Sequence, residues 1–484
     1  MPPRQPRERD YAFVGSFYFF AVWIGMAVMA LSEWLANLLK RETLHKIIMP
    51  VVFVGCFFAA PYLMASENWD DHDRSQKTAA RDFATNYLSI LNPNSVLITF
   101  GDNDTFPLWY AQEVEGVRTD VRILNYTLAG MYWYVEQLYN KTYEGDPLEF
   151  TLPKEFYGLG QDVVYIQPRT SDYMEVKDML RLLKEHPESF KAMSRDGNSY
   201  YVLPTRRFKI TLDVPDLVAR GVIPAEIADR VNPEIRWEIK KGNLYRHELM
   251  MLDIIGTNAF KRDICIMNPG YIKDVFPLAN GFSMEEGMVY KLLPYPAQQR
   301  YTDNTADYYI NGIVNADGSR TPLKWGNLNA DIYVDPISLN MGTVQRQNFT
   351  IVGEELMKQG DTASARTLFD MSEEYFPTSN FPRDKYCNYM IPDYMALFGI
   401  ERAGKLWDDI FEYYRQDMVY YAQYVRSSKR EHRLGVRSQV RDAVQLVNTL
   451  RQQASIVMHD DARRQKAEEL LNQYPDMVEM AMQQ

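Results

Sequence analysis

Two uncharged stretches near the start of the chain decide most of what it can fold into. Tyr11 to Leu31 runs 21 residues without a charge, and Ile47 to Ala65 another 19. A helix needs roughly 20 apolar residues to cross the hydrocarbon core of a bilayer, so each stretch is long enough to span. An acidic run follows at once, Glu67-Asn-Trp-Asp-Asp-His-Asp-Arg-Ser75, and behind it lies a much longer and more polar body. The pattern is that of a membrane-anchored soluble protein.

Neither stretch reads as a cleavable signal. The first is too long for a signal core, lacks a small-residue cleavage site and is followed by a second span. The link Ser32–Lys46 is short, so the pair is expected to form a helical hairpin with both outer ends on one side. Ala21 and Gly25, four residues apart, are expected to let the two backbones approach closely. Pro50 falls in the first turn of the second span, where a missing donor costs little, and Pro61 is expected to kink its exit. Lys40, Arg41 and Lys46 in the link balance Arg4, Arg7 and Arg9 in the tail. The positive-inside rule therefore leaves the orientation open.

Composition removes several classes. A net charge of −11 lacks the basic footprint of a nucleic-acid binder, so no nucleic-acid partner is expected. The 33 tyrosines, 23 phenylalanines and 8 tryptophans supply ample material for cores. Cys56, Cys265 and Cys387 make no disulfide framework, although a single Cys265–Cys387 bridge stays open. The histidines are scattered singly, and His247-Glu248 lacks the second histidine of a zincin motif. There is no phosphate loop of the Gly-x-x-x-x-Gly-Lys-Ser/Thr type and no Gly-x-Ser-x-Gly elbow.

Along the soluble part, Arg74–Leu91 carries a helical stripe at Ala80, Phe83, Ala84, Tyr87, Leu88 and Leu91. Asn92-Pro-Asn ends it. Ser95–Phe100 reads as a buried strand, Gly101–Thr105 as a turn, Phe106–Glu115 as a helix, Val121–Tyr126 as a second strand and Gly130–Asn140 as another helix. Strands alternating with helices imply a parallel sheet covered on both faces. Asp263–Met267 and Met288–Leu293 are candidates to extend it. Between them, Tyr200–Leu203 and Phe208–Leu212 look like a two-stranded insertion. From about Gly342 the pattern turns helical, and Phe349, Gly353, Leu356, Gly360, Ala365, Phe369 and Pro377 match the spacing of one tetratricopeptide-like unit.

Gly101-Asp102-Asn103-Asp104-Thr105 is the sharpest local constellation. It lies at the carboxyl end of a parallel strand, where open α/β sheets place their ligands. Asp102 and Asp104 are the candidate ligands of a hard divalent cation, with Asn103 and Thr105 as neutral oxygens. The competing reading makes Asp104 or Thr105 the cap of the next helix. Asp70, Asp71, His72, Asp73 and Arg74 form a second polar cluster, either one wall of a site shared with that turn or a solvated junction in which Asp73 or Ser75 caps a helix. Trp109 and Tyr110 are placed to stack on a sugar face or to join the core.

Four stretches carry a family resemblance: Pro6-Arg-Glu-Arg-Asp-Tyr11, Trp23-Ile-Gly25, the Glu67–Ser75 run, and Gly101-Asp-Asn-Asp-Thr-Phe-Pro-Leu-Trp-Tyr-Ala-Gln-Glu-Val114. Glu286-Gly-Met-Val-Tyr-Lys291 is a further recurrent stretch. Together they resemble a bacterial family of polytopic membrane proteins grouped with protein O-mannosyltransferase-like enzymes. The resemblance implies a multi-span glycosyltransferase that takes a lipid-linked sugar donor and an extracytoplasmic acceptor protein. This chain has two spans and looks like the C-terminal part of that architecture, a truncated frame or a split subunit, so no catalytic residue carries over and a partner with the remaining spans is implied. The resemblance also implies the inner membrane, with the large domain on the periplasmic side.

The expected architecture is a transmembrane hairpin over 1–66, an α/β domain over 67–335 with a β-containing insertion at about 170–241, and a helical tetratricopeptide-like domain over 336–484. The expected function is the acceptor- or glycan-handling half of a protein O-glycosyltransferase, catalytically incomplete alone. The alternative is a non-enzymatic envelope scaffold that binds a partner protein through its helical domain.

Overall fold

The structure is a computed structural model, and it describes residues 10–39, 42–158, 160, 162–193, 197, 199–276, 281–297, 300–301, 304–315, 317–330, 332–383, 386–427 and 430–482. The chain divides into two compact units, Met1–Gln76 with Asp331–Tyr333, and Lys77–Ala330 with Val334–Gln484.

In the first unit the apolar stretches form helices Val14–Leu39 and Glu42–Phe57, and the second continues through one π-helical turn, Phe58–Tyr62, into Leu63–His72. Tyr11–Leu38 and Lys46–Trp69 are each long and apolar enough to cross a membrane. Phe17, Phe19, Phe20, Trp23, Phe53 and Phe57 all point outward, the inside-out arrangement that a hydrocarbon surround favours. Two expectations are corrected. Ala21 and Gly25 are exposed, and a Cβ added at Gly25 would meet nothing within 4 Å. Among the described residues of these helices the buried side chains are Ser32, Ala36 and Val52. Pro50 lies inside its helix, because that helix begins at Glu42. Pro61 sits in the π turn, where a wider spacing absorbs its missing N–H without ending the helix.

The second unit is built on a five-stranded sheet. Its order is Ser283–Glu286, Val289–Leu292, Ile264–Ile266, Val96–Thr99, Arg122–Asn125. The Val96–Thr99 strand pairs in parallel with Arg122–Asn125 on one side and Ile264–Ile266 on the other. The expectation of an all-parallel sheet is corrected at its edge. Val289–Leu292 runs antiparallel to Ile264–Ile266 and turns back at Gly287 (φ +61°) onto the polar strand Ser283–Glu286. A short hairpin can only return antiparallel.

Side-chain alternation covers both faces. Leu97, Ile123, Cys265 and Val289 join one core with helices Ala79–Ser89 and Asp102–Glu113. Val96, Ile98, Leu124, Ile264 and Ile266 join another under helix Arg246–Asn258. That helix is buried along its length except at His247. Its Asp253 is fully buried, and the carboxylate accepts from Thr151 N (2.8 Å), Leu152 N (3.0 Å), the Tyr157 hydroxyl (2.9 Å) and the Thr257 hydroxyl (2.8 Å). Gly256 lies against Val176, whose Cγ1 would stand 2.3 Å from an added Cβ.

The insertion also differs from expectation. The strands Ser199–Leu203 and Arg207–Thr211 do not pair with each other. The first joins Lys191–Met193, Val163–Ile166 and Asn243–Tyr245, and the second joins Met174–Glu175 and Glu234–Glu238. Two small mixed sheets replace one hairpin. Cys265 and Cys387 are both buried, and no disulfide joins them.

The C-terminal region is helical. Helices Pro336–Gln359 and Thr362–Tyr375 are joined at Gly360 (φ +84°), with Asp361 capping the second by accepting from Ser364 N. Gly353 meets the ring of Phe369. Ile391–Val425 follows, broken at Gly399 (φ +73°), then Arg437–Ile456, Asp461–Gln473 and Pro475–Met482. These helices share the first core of the sheet: Trp325 stacks on Tyr309 (6.0 Å) and meets Phe83, Phe349 and Phe376 edge-on.

Candidate functional site

The Val96–Thr99 strand runs through Phe100 and Gly101 into the Asp102–Glu113 helix. Gly101, in extended conformation, holds the N-cap position, so neither Asp104 nor Thr105 caps the helix as the competing reading expected. Thr105 is fully buried; its hydroxyl bonds that of Thr99 (2.6 Å) and accepts from Asn125 Nδ2 (2.8 Å). The residue expected as a neutral ligand thus clamps the helix onto two adjacent strand ends. Asp102 and Asn103 are exposed and Asp104 is half-buried, accepting from the Tyr271 hydroxyl (3.1 Å). Carboxylates here suit the positive end of the helix dipole. Burial first, and then Asp104, push the Tyr271 phenol up. Tyr271 stacks on Phe100 (4.5 Å).

The Asp70–Arg74 run belongs to the first unit. Asp70 and Asp71 end the Leu63–His72 helix, and their side chains lie outside the described residues. Asp73 is the C-cap of that helix and accepts from Ser75 N (2.8 Å). The next helix is preceded by Thr78, so neither Asp73 nor Ser75 caps it. His72 Nδ1 lies 2.9 Å from the Asn68 carbonyl, and Arg74 is exposed in the turn that follows. Among the described residues, no group of three or more histidine, cysteine, aspartate or glutamate side chains converges as a metal site.

Trp109 stands elsewhere. Two turns along the same helix it is half-buried, stacks on Phe106 (5.4 Å) and forms one wall of a cleft of about 340 Å³. Trp133, 59 % exposed, lines the cleft too, together with Tyr143, Glu113, Gln112, Gln137 and Arg122. The Tyr132–Leu138 helix buries Tyr134, Val135 and Leu138, which turns Trp133 out. The polar lining is held in place. The Tyr143 hydroxyl donates to Glu113, Gln112 Nε2 donates to the carbonyls of Arg118 (2.9 Å) and Val121 (2.8 Å), and Arg122 Nη1 donates to Asn140 O and Thr142 Oγ1 (both 2.8 Å). Burial lowers the Arg122 guanidinium pKa and pushes the Tyr134 phenol up to about 12. Exposed ring faces beside fixed hydrogen-bonding groups suit a ligand with both C–H faces and hydroxyls, because the negative ring face attracts weakly positive C–H groups.

Residues 80–311 match the family model described as TMEM260-associated domain 2. That is a domain associated with a protein O-mannosyltransferase-like protein. No curated protein and no solved structure matches the chain. The matched stretch holds the whole five-stranded sheet, the two small mixed sheets of the insertion and every residue of the Trp109–Trp133 cleft. The helices from Pro336 onward lie beyond it.

Sequence reasoning singled out Trp109 but missed Trp133, Tyr143, Glu113 and Gln137. A signal was present at Trp133. Within Tyr132-Trp-Tyr-Val135 the helical period assigns Tyr134, Val135 and Leu138 to one face, which leaves an indole on the polar side with no packing reason to be there.

Proposed function

We propose that this chain is the membrane-anchored, glycan- or acceptor-handling part of a protein O-glycosyltransferase system, with the Trp109–Trp133 cleft as its sugar-binding surface. The observation that carries the reading is two indoles and a tethered carboxylate, Glu113, lining one cleft inside the stretch that matches the TMEM260-associated domain. In this reading the large unit is periplasmic and the hairpin rests in the lipid of the inner membrane. A membrane partner carries further spans and works on a lipid-linked donor, and an acceptor protein is presented to it. A divalent cation on Asp102 and Asp104, and a tetratricopeptide-like role for the C-terminal helices, belong to the same proposal.

The test is a calorimetric and tryptophan-fluorescence titration of the full chain in detergent with methyl α-mannoside and short manno-oligosaccharides. Binding is expected, and Trp133→Ala should weaken it about tenfold or more while leaving the melting temperature unchanged, since Trp133 is exposed. A folded protein that binds none of a panel of neutral saccharides retires the reading.

A second reading, a scaffold that docks a partner protein, is favoured by a row of exposed side chains on the Ile391–Val425 helix. Tyr413, Val419 and Tyr420 lie on its surface, and Tyr420 and Tyr424 are joined through their hydroxyls (3.1 Å). Tyr413→Ser with Tyr420→Ser should abolish capture of an envelope partner and leave saccharide binding intact if this surface is the functional one.

A further inference from the structure

Arg383 is 5 % exposed, and its Nε and Nη1 have no hydrogen-bond partner among the described residues. A buried guanidinium with unmet donors is costly and calls for an explanation. It lines a cavity of about 590 Å³ bounded by the end of the Thr362–Tyr375 helix and by the Ile391–Val425 helix beyond its break at Gly399.

Of the other charges around this cavity, Arg402 and Glu373 are engaged. Arg402 donates to Asp370 (2.6 Å) and Glu373 (2.8 Å) and lies over the Phe398 ring at 3.6 Å. Glu373 also accepts from the Tyr394 hydroxyl (2.8 Å). Asp409 feels Arg383 through space, yet no hydrogen bond or ion pair joins the two. Lys405, one helical turn from Asp409 and exposed at the rim, has no ion pair among the described residues. Arg383 and Lys405 therefore line, with the carboxylates of Glu401 and Asp409, a volume far larger than one water, whose share of liquid is about 30 Å³.

We propose that this cavity is a binding site for an oxyanion, a carboxylate or a phosphate group carried by a larger ligand, held by Arg383 with Lys405 at the rim. Charge-assisted hydrogen bonds to a guanidinium are the strong class, and an anionic oxygen is the acceptor that Arg383 lacks. Asp409 and Glu401, which line the same cavity, oppose such a ligand by their own charge. The site is separate from the Trp109–Trp133 cleft in residues and in ligand chemistry, so the two stand or fall independently.

The experiment is calorimetry on the full chain in detergent at constant chloride, with inorganic phosphate in one arm and succinate in the other. At least one probe should bind. Lys405→Met should weaken it severalfold, Arg383→Gln about tenfold or more, and Asp409→Asn should tighten it. Whichever probe binds more tightly identifies the source of the oxyanion. If Arg383→Gln fails to fold, Lys405→Met and Asp409→Asn, both outside the closed core, carry the decision. No heat with either probe, or binding that none of these changes alters, overturns the proposal.

Discussion

Asp253 offers the most exacting test of how the fold is held. Its carboxylate is fully buried beneath the loop at Thr151 and Leu152 and satisfies two backbone amides and two hydroxyls. In Asp253→Ala the Thr257 hydroxyl keeps an alternative, because it already bonds that of Thr151 (2.6 Å), and the Tyr157 hydroxyl can rotate. The two amides cannot move without the loop. Each stranded buried donor costs roughly 1–3 kcal/mol, which puts the loss at about 4 kcal/mol. One kcal/mol shifts Tm by ~2–4 °C in domains of 150–250 residues, and less in a larger unit, so a fall of about 4–8 °C is expected. Asp253→Asn keeps one acceptor oxygen but aims an amide at donors, so it should fall between.

The pH dependence has a definite sign. Burial raises the Asp253 carboxyl above its ordinary value and outweighs the four donors. The folded state therefore takes up this proton before the unfolded state does. The associated stability is fully present below the unfolded pKa of about 3.9 and is lost as pH rises through the raised folded value. Asparagine does not titrate, so the gap between wild type and Asp253→Asn should widen on acidification from neutral pH. Melting is followed by intrinsic fluorescence at a fixed scan rate on the full chain in detergent. A loss below about 1 °C for Asp253→Ala, or a gap that narrows on acidification, refutes the argument.

Two further predictions follow from close contacts and charges. Gly256→Ala adds a Cβ 2.3 Å from the Val176 Cγ1; overpacking of ~1–3 kcal/mol exceeds the helix-propensity gain of up to ~1 kcal/mol, so Tm should fall, and Val176→Ala in the same chain should restore part of the loss. Titration with Ca²⁺ or Mn²⁺ should give heat that disappears in both Asp102→Asn and Asp104→Asn if these carboxylates hold a cation, and no heat at all reduces them to charges at a helix end, each contributing ~0.3–1 kcal/mol.

Periodicity made the central strands readable. Ser-Val-Leu-Ile-Thr-Phe and the run from Val121 are short, apolar and bounded by turn residues, and both lie where expected, in parallel. Ser283–Glu286 went unread because Ser-Met-Glu-Glu carries an edge strand with only one buried position. Glu234–Glu238 did alternate, with Ile235 and Trp237 inward; that period was legible and would have ruled out the simple hairpin. The acidic turn was conspicuous in sequence, yet Thr105 proved to be an internal clamp. Arg383 and Asp253 left no trace, because nothing in a linear pattern tells a buried charge from a solvated one.

The aromatic knot around Trp325 bears on which part of the chain can stand alone. The stretch recognised as kindred ends at residue 311, just past Tyr309, while Trp325, Phe349 and Phe376, which close over that ring or its neighbours, come later. Cut there, the piece would present an unroofed greasy face to water. The block that the family model covers is thus smaller than the block that shares this core. A chain cut at that point is expected to aggregate, which gives the C-terminal helices a structural reason to stay attached.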